Sequence, residues 1–333
     1  MKKYFVILLI ATFSKNYAQF QEIFAASNDA EKFVTNYMQP VFRGLMFATN
    51  SAWVTSAKPI KTFHFELNIN ASGAFVPPNS ENFKFNQTDY QYLRIDSGPD
   101  EIPTITGGES QTRLKIVIPY NSYEVKVLDF DSPDGIKNKL PLNLIPAPTL
   151  QFSMGLPMGS EVNLRYAPTI TDNNDAFFQL IGLGLKHSIS QYLPVGKQFN
   201  LAAHVAYQHI SAGYDEANSN KALHINISAI SIQSIASFDS KLISLYGAIG
   251  YSKGFTTMEA LGTYNYTFDI QDNAGNHIDT ETITITDPVK FDYNIDGIKA
   301  KAGIKLKLVF FQIFADYTLQ EFPVATAGIG FKF

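Results

Sequence analysis

Cysteine is absent from all 333 residues. Its absence excludes disulfides, thiolate metal sites, cysteine nucleophiles and a lipoprotein anchor at one stroke. Long apolar runs are also missing. No segment after the first 18 residues supplies the roughly 18 consecutive apolar residues a membrane helix needs, so a helical span is excluded. Charge is sparse, with Asp, Glu, Lys and Arg making up 17%, against roughly a quarter in soluble domains. The balance is −4, and −7 without the three early lysines Lys2, Lys3 and Lys15. Such mild acidity argues against nucleic acid as a partner.

Motifs of catalysis and metal binding are missing as well. None of the six histidines, His64, His187, His204, His209, His224 and His277, has a metal-ligand spacing. No metal or cofactor is expected. There is no Gly-x-Ser-x-Gly, and His187 and Ser188, as strand neighbours, face opposite sides. A lipid-modifying hydrolase on the wall of a barrel is the enzymatic alternative. The absence of an aligned Ser/His pair with a third partner leaves the expectation of no enzyme. Gly182-Leu183-Gly184-Leu185 lies inside a strand pattern, where glycine thins the wall or lets a neighbour approach. The segment 256–294 is rich in Asp and Thr, but its spacing fits no calcium loop.

What is present is aromatic and alternating. Aromatics make up 14%, with 27 Phe and 17 Tyr, as many as a barrel girdled at two interfaces would use. Mean hydropathy is near zero, as expected when inward and outward residues cancel. Residues 1–18 have the form of a secretory signal: Lys2 and Lys3, a short apolar run from Tyr4 to Phe13, and Ala18 at the cleavage position. Residues 19–60 differ from the rest. Ser27 can cap a helix starting at Asn28, with Asp29 and Glu31 in its first turn. Phe33, Val34, Tyr37 and Met38 share a face, Pro40 breaks or kinks the helix, and Phe42 lies in a second apolar piece. With Trp53, the only tryptophan, these residues are expected to plug the barrel from inside or beneath, or to lie against its periplasmic rim.

From residue 61 the chain reads as an antiparallel transmembrane β-barrel. Ten long alternating runs are expected, at 61–71, 147–156, 161–170, 177–190, 199–211, 221–236, 241–254, 295–307, 309–319 and 324–333. The excursions could add strands to reach twelve or fourteen. Links alternate short and long, except at 320–323. Counting back from a periplasmic C-terminus puts two polar excursions, 72–146 and 256–294, on the extracellular side. The first carries strand-like runs near 88–95, 111–119 and 122–130, and the second a hairpin around Asn273-Ala274-Gly275-Asn276. The alternative for the last strand is a buried edge of a soluble sandwich. That fits poorly with an apolar face ending on Phe331 and Phe333.

If apolar alternates face lipid, Lys299, Lys301, Lys305 and Lys307 share the opposite face of one strand. A lysine facing lipid at mid-depth costs about 2–4 kcal/mol, so these must point inward or lie at the rims. Gln312, Asp316, His64 and Glu66 are their expected partners. Arg165, Asn163, Lys186, His204, Gln208, His224, Asn226, Ser244 and Tyr246 are further inward candidates. The stripe either favours anionic solutes or is a salt-bridged interior with no substrate.

These segments carry resemblances. The ending Gly328-Ile329-Gly330-Phe331-Lys332-Phe333 is similar to that of bacterial outer-membrane barrels, which implies recognition by the barrel-insertion machinery. Gly182 to Ile189 with Gln191-Tyr192-Leu193-Pro194, Glu161 to Pro168, Tyr37-Met38-Gln39-Pro40, and Ala52-Trp53 with Ala57-Lys58-Pro59 resemble an uncharacterised family of Bacteroidetes outer-membrane proteins. The resemblance implies fold and Gram-negative outer-membrane location, and no catalytic residues. A weaker similarity is to long-chain fatty-acid channels, which also set a helical hatch ahead of a larger, typically fourteen-stranded barrel. Three functions are carried forward. The barrel passes small hydrophobic or anionic solutes, or its excursions bind a partner at the surface without transport, or it modifies lipid.

Overall fold

The computed structural model describes residues 22–333 apart from 27, 121–122, 172–175, 195, 217–218 and 272–276. The signal-peptide reading, the Ser27 cap and the turn Asn273–Asn276 lie outside the described residues. Helix α1 (Asn28–Thr49) precedes all strands and runs through Pro40 without ending. Of the break or kink expected at Pro40, the break does not occur. Burial of Pro40 and of most of the helix around it explains this, because packing holds a helix together where one backbone donor is lost.

Ten strands close the barrel: β1 (Phe65–Phe75), β7 (Leu144–Leu156), β8 (Ser160–Thr171), β9 (Ala176–Ser188), β10 (Phe199–Asp215), β11 (Ala222–Asp239), β12 (Ile243–Leu261), β15 (Val289–Lys307), β16 (Phe311–Leu319) and β17 (Val324–Lys332). All pairs are antiparallel, and β1 closes the wall by pairing with both β7 and β17. Each of the ten expected strands is found. The first begins at Phe65 and not at residue 61, because Phe63 takes a positive φ of 61° in the preceding turn.

Five smaller strands and a hairpin stand beyond the end opposite Phe333. β2 (Asn82–Lys84) pairs with β4 (Glu101–Pro103), and β3 (Leu93–Ser97) with β5 (Arg113–Tyr120), which pairs in turn with β6 (Tyr123–Asp131). β13 (Thr263–Gln271) and β14 (His277–Thr286) form the hairpin, which abuts β6. Together they cap this far end; the end holding Phe333 is the near mouth.

The wall is taller on one side. β10, β11, β12 and β15 run 17 to 19 residues, while β16 and β17 have nine. In their near-mouth half, Ile232, Ile249, Ile298 and Ile304 project outward and are exposed, forming an apolar outer belt. Toward the far end the polarity reverses while the period of two continues. Leu223, Ile225, Met258, Phe291 and Ile295 now face inward and are buried. The outer face carries His224 on Asp215 at 2.8 Å, Tyr251 on Asp296 at 2.7 Å and Thr257 on Asp292 at 2.9 Å. His224 and Asn226, expected to face inward, are thus on the outer face. The physical reason is that α1 supplies an apolar surface inside this half of the barrel, against which the inner face of the wall packs. The two ends of the segment 256–294 are wall, up to Leu261 in β12 and from Val289 in β15, and the β13–β14 hairpin between them leaves it.

α1 enters from the far end. Phe33, Tyr37, Phe42, Met46 and Phe47 are all fully buried. Phe33 packs edge-on to Phe83 at 5.4 Å, Phe42 lies 6.0 Å from Phe291, and Phe47 stacks on Phe322 at 6.2 Å. The carboxylate of Asp29 accepts from the backbone N–H groups of Gln91, Tyr92 and Leu93 at 2.6–2.9 Å, tying the first helical turn to the cap.

Candidate functional site: a cationic clamp inside the barrel

α1 ends at mid-barrel, where its last carbonyls have no helical partner and carry the negative end of the helix dipole. Its last turn has no basic residue of its own. The wall supplies the cations instead. Arg165 on β8 is fully buried and donates to the carbonyls of Thr49 and of Ser51, the latter at 2.9 Å. Its other fork nitrogen donates to Gln151 Oε1 at 2.8 Å, and its guanidinium lies 3.8 Å from the Trp53 ring centre. Lys299 Nζ donates to the Asn50 carbonyl at 3.2 Å and to Ser231 Oγ at 2.6 Å. Gln208 donates to Thr49 Oγ1.

The chain then descends the lumen as an extended linker, 50–58, and the lysines follow it. Lys301 Nζ donates to the Val54 carbonyl at 2.7 Å, Lys305 Nζ to Thr55 Oγ1 at 3.0 Å, and Lys186 Nζ to the Ser56 carbonyl at 3.2 Å. Lys186 also pairs with Glu161 at 2.7 Å. Gln151 Nε2 donates to the Trp53 carbonyl at 3.0 Å. A buried ammonium is tolerable only when hydrogen-bonded, and each of these is.

Other residues singled out from the sequence fall around this clamp. His204 is buried against Gln233 at 3.1 Å and 5.8 Å from the Trp53 ring. Tyr246 donates to Asp316 at 2.9 Å, and Lys301 lies 4.0 Å from the same carboxylate. Gln312 donates to Asn68 at 3.3 Å, and buried Glu66 accepts from Asn68 at 2.9 Å. Lys307 sits nearer the mouth and pairs with Asp239 at 3.0 Å. His64 stays outside the clamp but lines the near mouth with Glu66, Lys305 and Lys307. It is exposed in the turn ahead of β1, its Nδ1 3.2 Å from the Thr62 carbonyl. The inward face of the strand pattern does not reach it, because the chain leaves the wall at Phe65.

Glycine makes room for the linker. A Cβ on Gly182 would stand 2.8 Å from the tip of Trp53, and one on Gly184 would stand 2.8 Å from His204 Nε2. Sequence reasoning did not find Gln151, Ser56 or Asp239. Asp239 accepts from Ser56, Ser237, Ser244, Asn200 and Lys307. It lies two residues beyond Ser237 in the inward phase of β11, and extending that phase past residue 236 would have found it.

One further pair lies on the outer wall. His187 Nδ1 is 2.8 Å from Ser160 Oγ, directly opposite it in register. The other ring nitrogen meets Tyr192 OH and Gln191 Nε2, both at 3.1 Å. Ser160, not Ser188, is thus the serine beside His187. Among the described contacts no carboxylate orients the imidazole.

The whole chain, residues 1–333, matches a family of unknown function, DUF6588. The chain belongs to that family. No curated protein matches it. The solved structures it resembles are barrels of very low identity. Against Ail, the attachment invasion locus protein of Yersinia pestis, identity is 10% and the TM-score 0.27, over 82% of this chain and 99% of that one. For the translocator domain of the autotransporter NalP from Neisseria meningitidis the values are 8% and 0.29, over 87% and 93%. For a loop-deleted OmpT, an outer membrane protein of Vibrio cholerae, they are 9% and 0.19, over 81% and 98%.

Proposed function

We propose that this chain is an outer-membrane barrel held shut at rest by its own N-terminal segment, acting at the cell surface through its cap. The near mouth faces the periplasm and the cap faces outside. The signal-like residues 1–18, the apolar belt and the Phe331/Phe333 ending support that placement and insertion by the barrel machinery. The observation that carries the closed state is the set of buried cations bound to linker carbonyls between Thr49 and Ser56. In an open pore these ammonium groups would face water and anionic solutes; here they are spent on the chain itself. The basic stripe and the plug are therefore one device, and small hydrophobic or anionic solutes pass only if the linker is displaced. A partner at the surface meets β2–β6 and the β13–β14 hairpin.

Two measurements on the full chain test this. In planar bilayers the purified protein is expected to give no steady conductance, and surface biotinylation of whole cells should label cap lysines such as Lys84 and Lys126. A stable ohmic channel from the unmodified protein would overturn the closed reading. Cap lysines protected in intact cells would overturn the orientation.

A further inference from the structure

We propose that the near mouth is a binding site for a multivalent anion of the phosphate class, on the opposite side of the membrane from the cap. Below the clamp the linker turns out of the lumen, and a basin of about 440 Å³ opens around it. Six lysines line it: Lys58, Lys61, Lys241, Lys305, Lys307 and Lys332. They come from the linker, the β11–β12 turn, β15 and the terminal strand, so the barrel's closure is what gathers them.

Only two acidic side chains, Glu66 and Asp239, share the lining. Asp239 already accepts from three serines, an asparagine and Lys307. Glu66 accepts from Asn68. Among the described residues Lys58, Lys61 and Lys241 are exposed and in no ion pair. Like charges converging in a concave mouth raise one another's energy and concentrate counter-ions there. The donors are compact ammonium groups, point charges that bind phosphate oxygens without fixing a plane, and six of them converging suit an anion that carries several charges on tetrahedral oxygens. Linker and clamp floor the basin, so an anion entering from this side is held and not passed on. The inference does not depend on what the cap binds.

The test is calorimetric titration of the full chain in nonionic detergent with inorganic tripolyphosphate at low salt. One saturable site is expected, weakened at least about tenfold in K58Q/K61Q/K241Q and weakened again as salt rises. These three side chains are exposed, so the variant should fold. K84Q/K126Q/K290Q, with the same charge loss away from the mouth, should bind as the parent does. Repeating the titration in nanodiscs separates two sources of the phosphate. Weaker binding with phosphatidylglycerol present assigns the site to a lipid headgroup, and unchanged binding assigns it to a free anion. No saturable heat, a mouth variant that binds like the parent, or equal weakening by the distant variant would overturn the proposal.

Discussion

Replacing Arg165 with alanine should release the linker while leaving the barrel closed. The side chain makes three hydrogen bonds, to the Thr49 and Ser51 carbonyls and to Gln151, and covers the Trp53 ring. Bonds from a charged donor contribute about 1.5–3 kcal/mol each, a gross of roughly 5–9 kcal/mol. Against this stands the cost of keeping a guanidinium away from water, several kcal/mol, which the variant no longer bears. The net loss is about 3–5 kcal/mol, because three buried neutral acceptors lose their donor at about 1–3 kcal/mol each. At about 1.4 kcal/mol per decade, the detached population rises by roughly two to four decades. Amide hydrogen exchange over residues 50–58 reads that change, because the segment is buried through Ala57 and the Ala57 N–H donates to Ser237 Oγ on the wall at 2.9 Å. Trp53, the only tryptophan in the chain and 1% exposed, gives a second readout, with red-shifted emission and easier acrylamide quenching in the variant. Lysine at 165 keeps the charge but loses the fork and should fall between. If exchange over 50–58 and quenching in R165A match the parent within about threefold, the clamp is not what seats the linker.

Gly182→Ala adds a Cβ that would stand 2.8 Å from Trp53, and such overpacking costs about 1–3 kcal/mol; tryptophan quenching should rise while the wall amides of β9 stay protected. Asp29→Ala removes the acceptor of three cap N–H groups, leaving the buried Leu93 donor unpaired at about 1–3 kcal/mol, so exchange at 91–93 should quicken without any conductance. The cap sheet should loosen in acid. The hydrogen bond from Arg113, then that from Lys126, holds the Asp129 carboxyl below the ordinary carboxylate range. A carboxyl depressed on folding contributes stability above its unfolded pKa, near 4, and loses it as pH falls through the folded value; exchange of β5 amides should rise below about pH 4 in the parent and lose that pH dependence in D129N. Ser160→Ala and His187→Ala should leave lipid turnover by the purified protein at background, since nothing acidic orients His187 among the described contacts; turnover in the parent that either change abolishes would restore the enzymatic reading.

How much of this was legible in the residues follows from what period two can encode. The pattern reports which residues share a face and does not report what wets that face. Along 295–307 the face holding Lys299, Lys301, Lys305 and Lys307 was readable as inward, because lipid would reject it. Six residues earlier the same strand carries Val289, Phe291 and Ile295 on that same inner face, and the rule that apolar means outward fails there. The failure comes from α1, whose apolar sides turn the far half of the lumen into a core. The same reversal put His224 and Asn226 on the wrong side. The two surprises of the sequence, an apolar helix before a barrel and lysines on an inner wall, therefore explain each other. The helix needs cations at its carbonyl end and has none in its last turn, and the buried lysines need acceptors that the wall alone does not provide in number. Neither need is visible in a window of ten residues, since Thr49 and Arg165 lie 116 positions apart. The physical requirement that buried charges and helix ends be satisfied is what joins them.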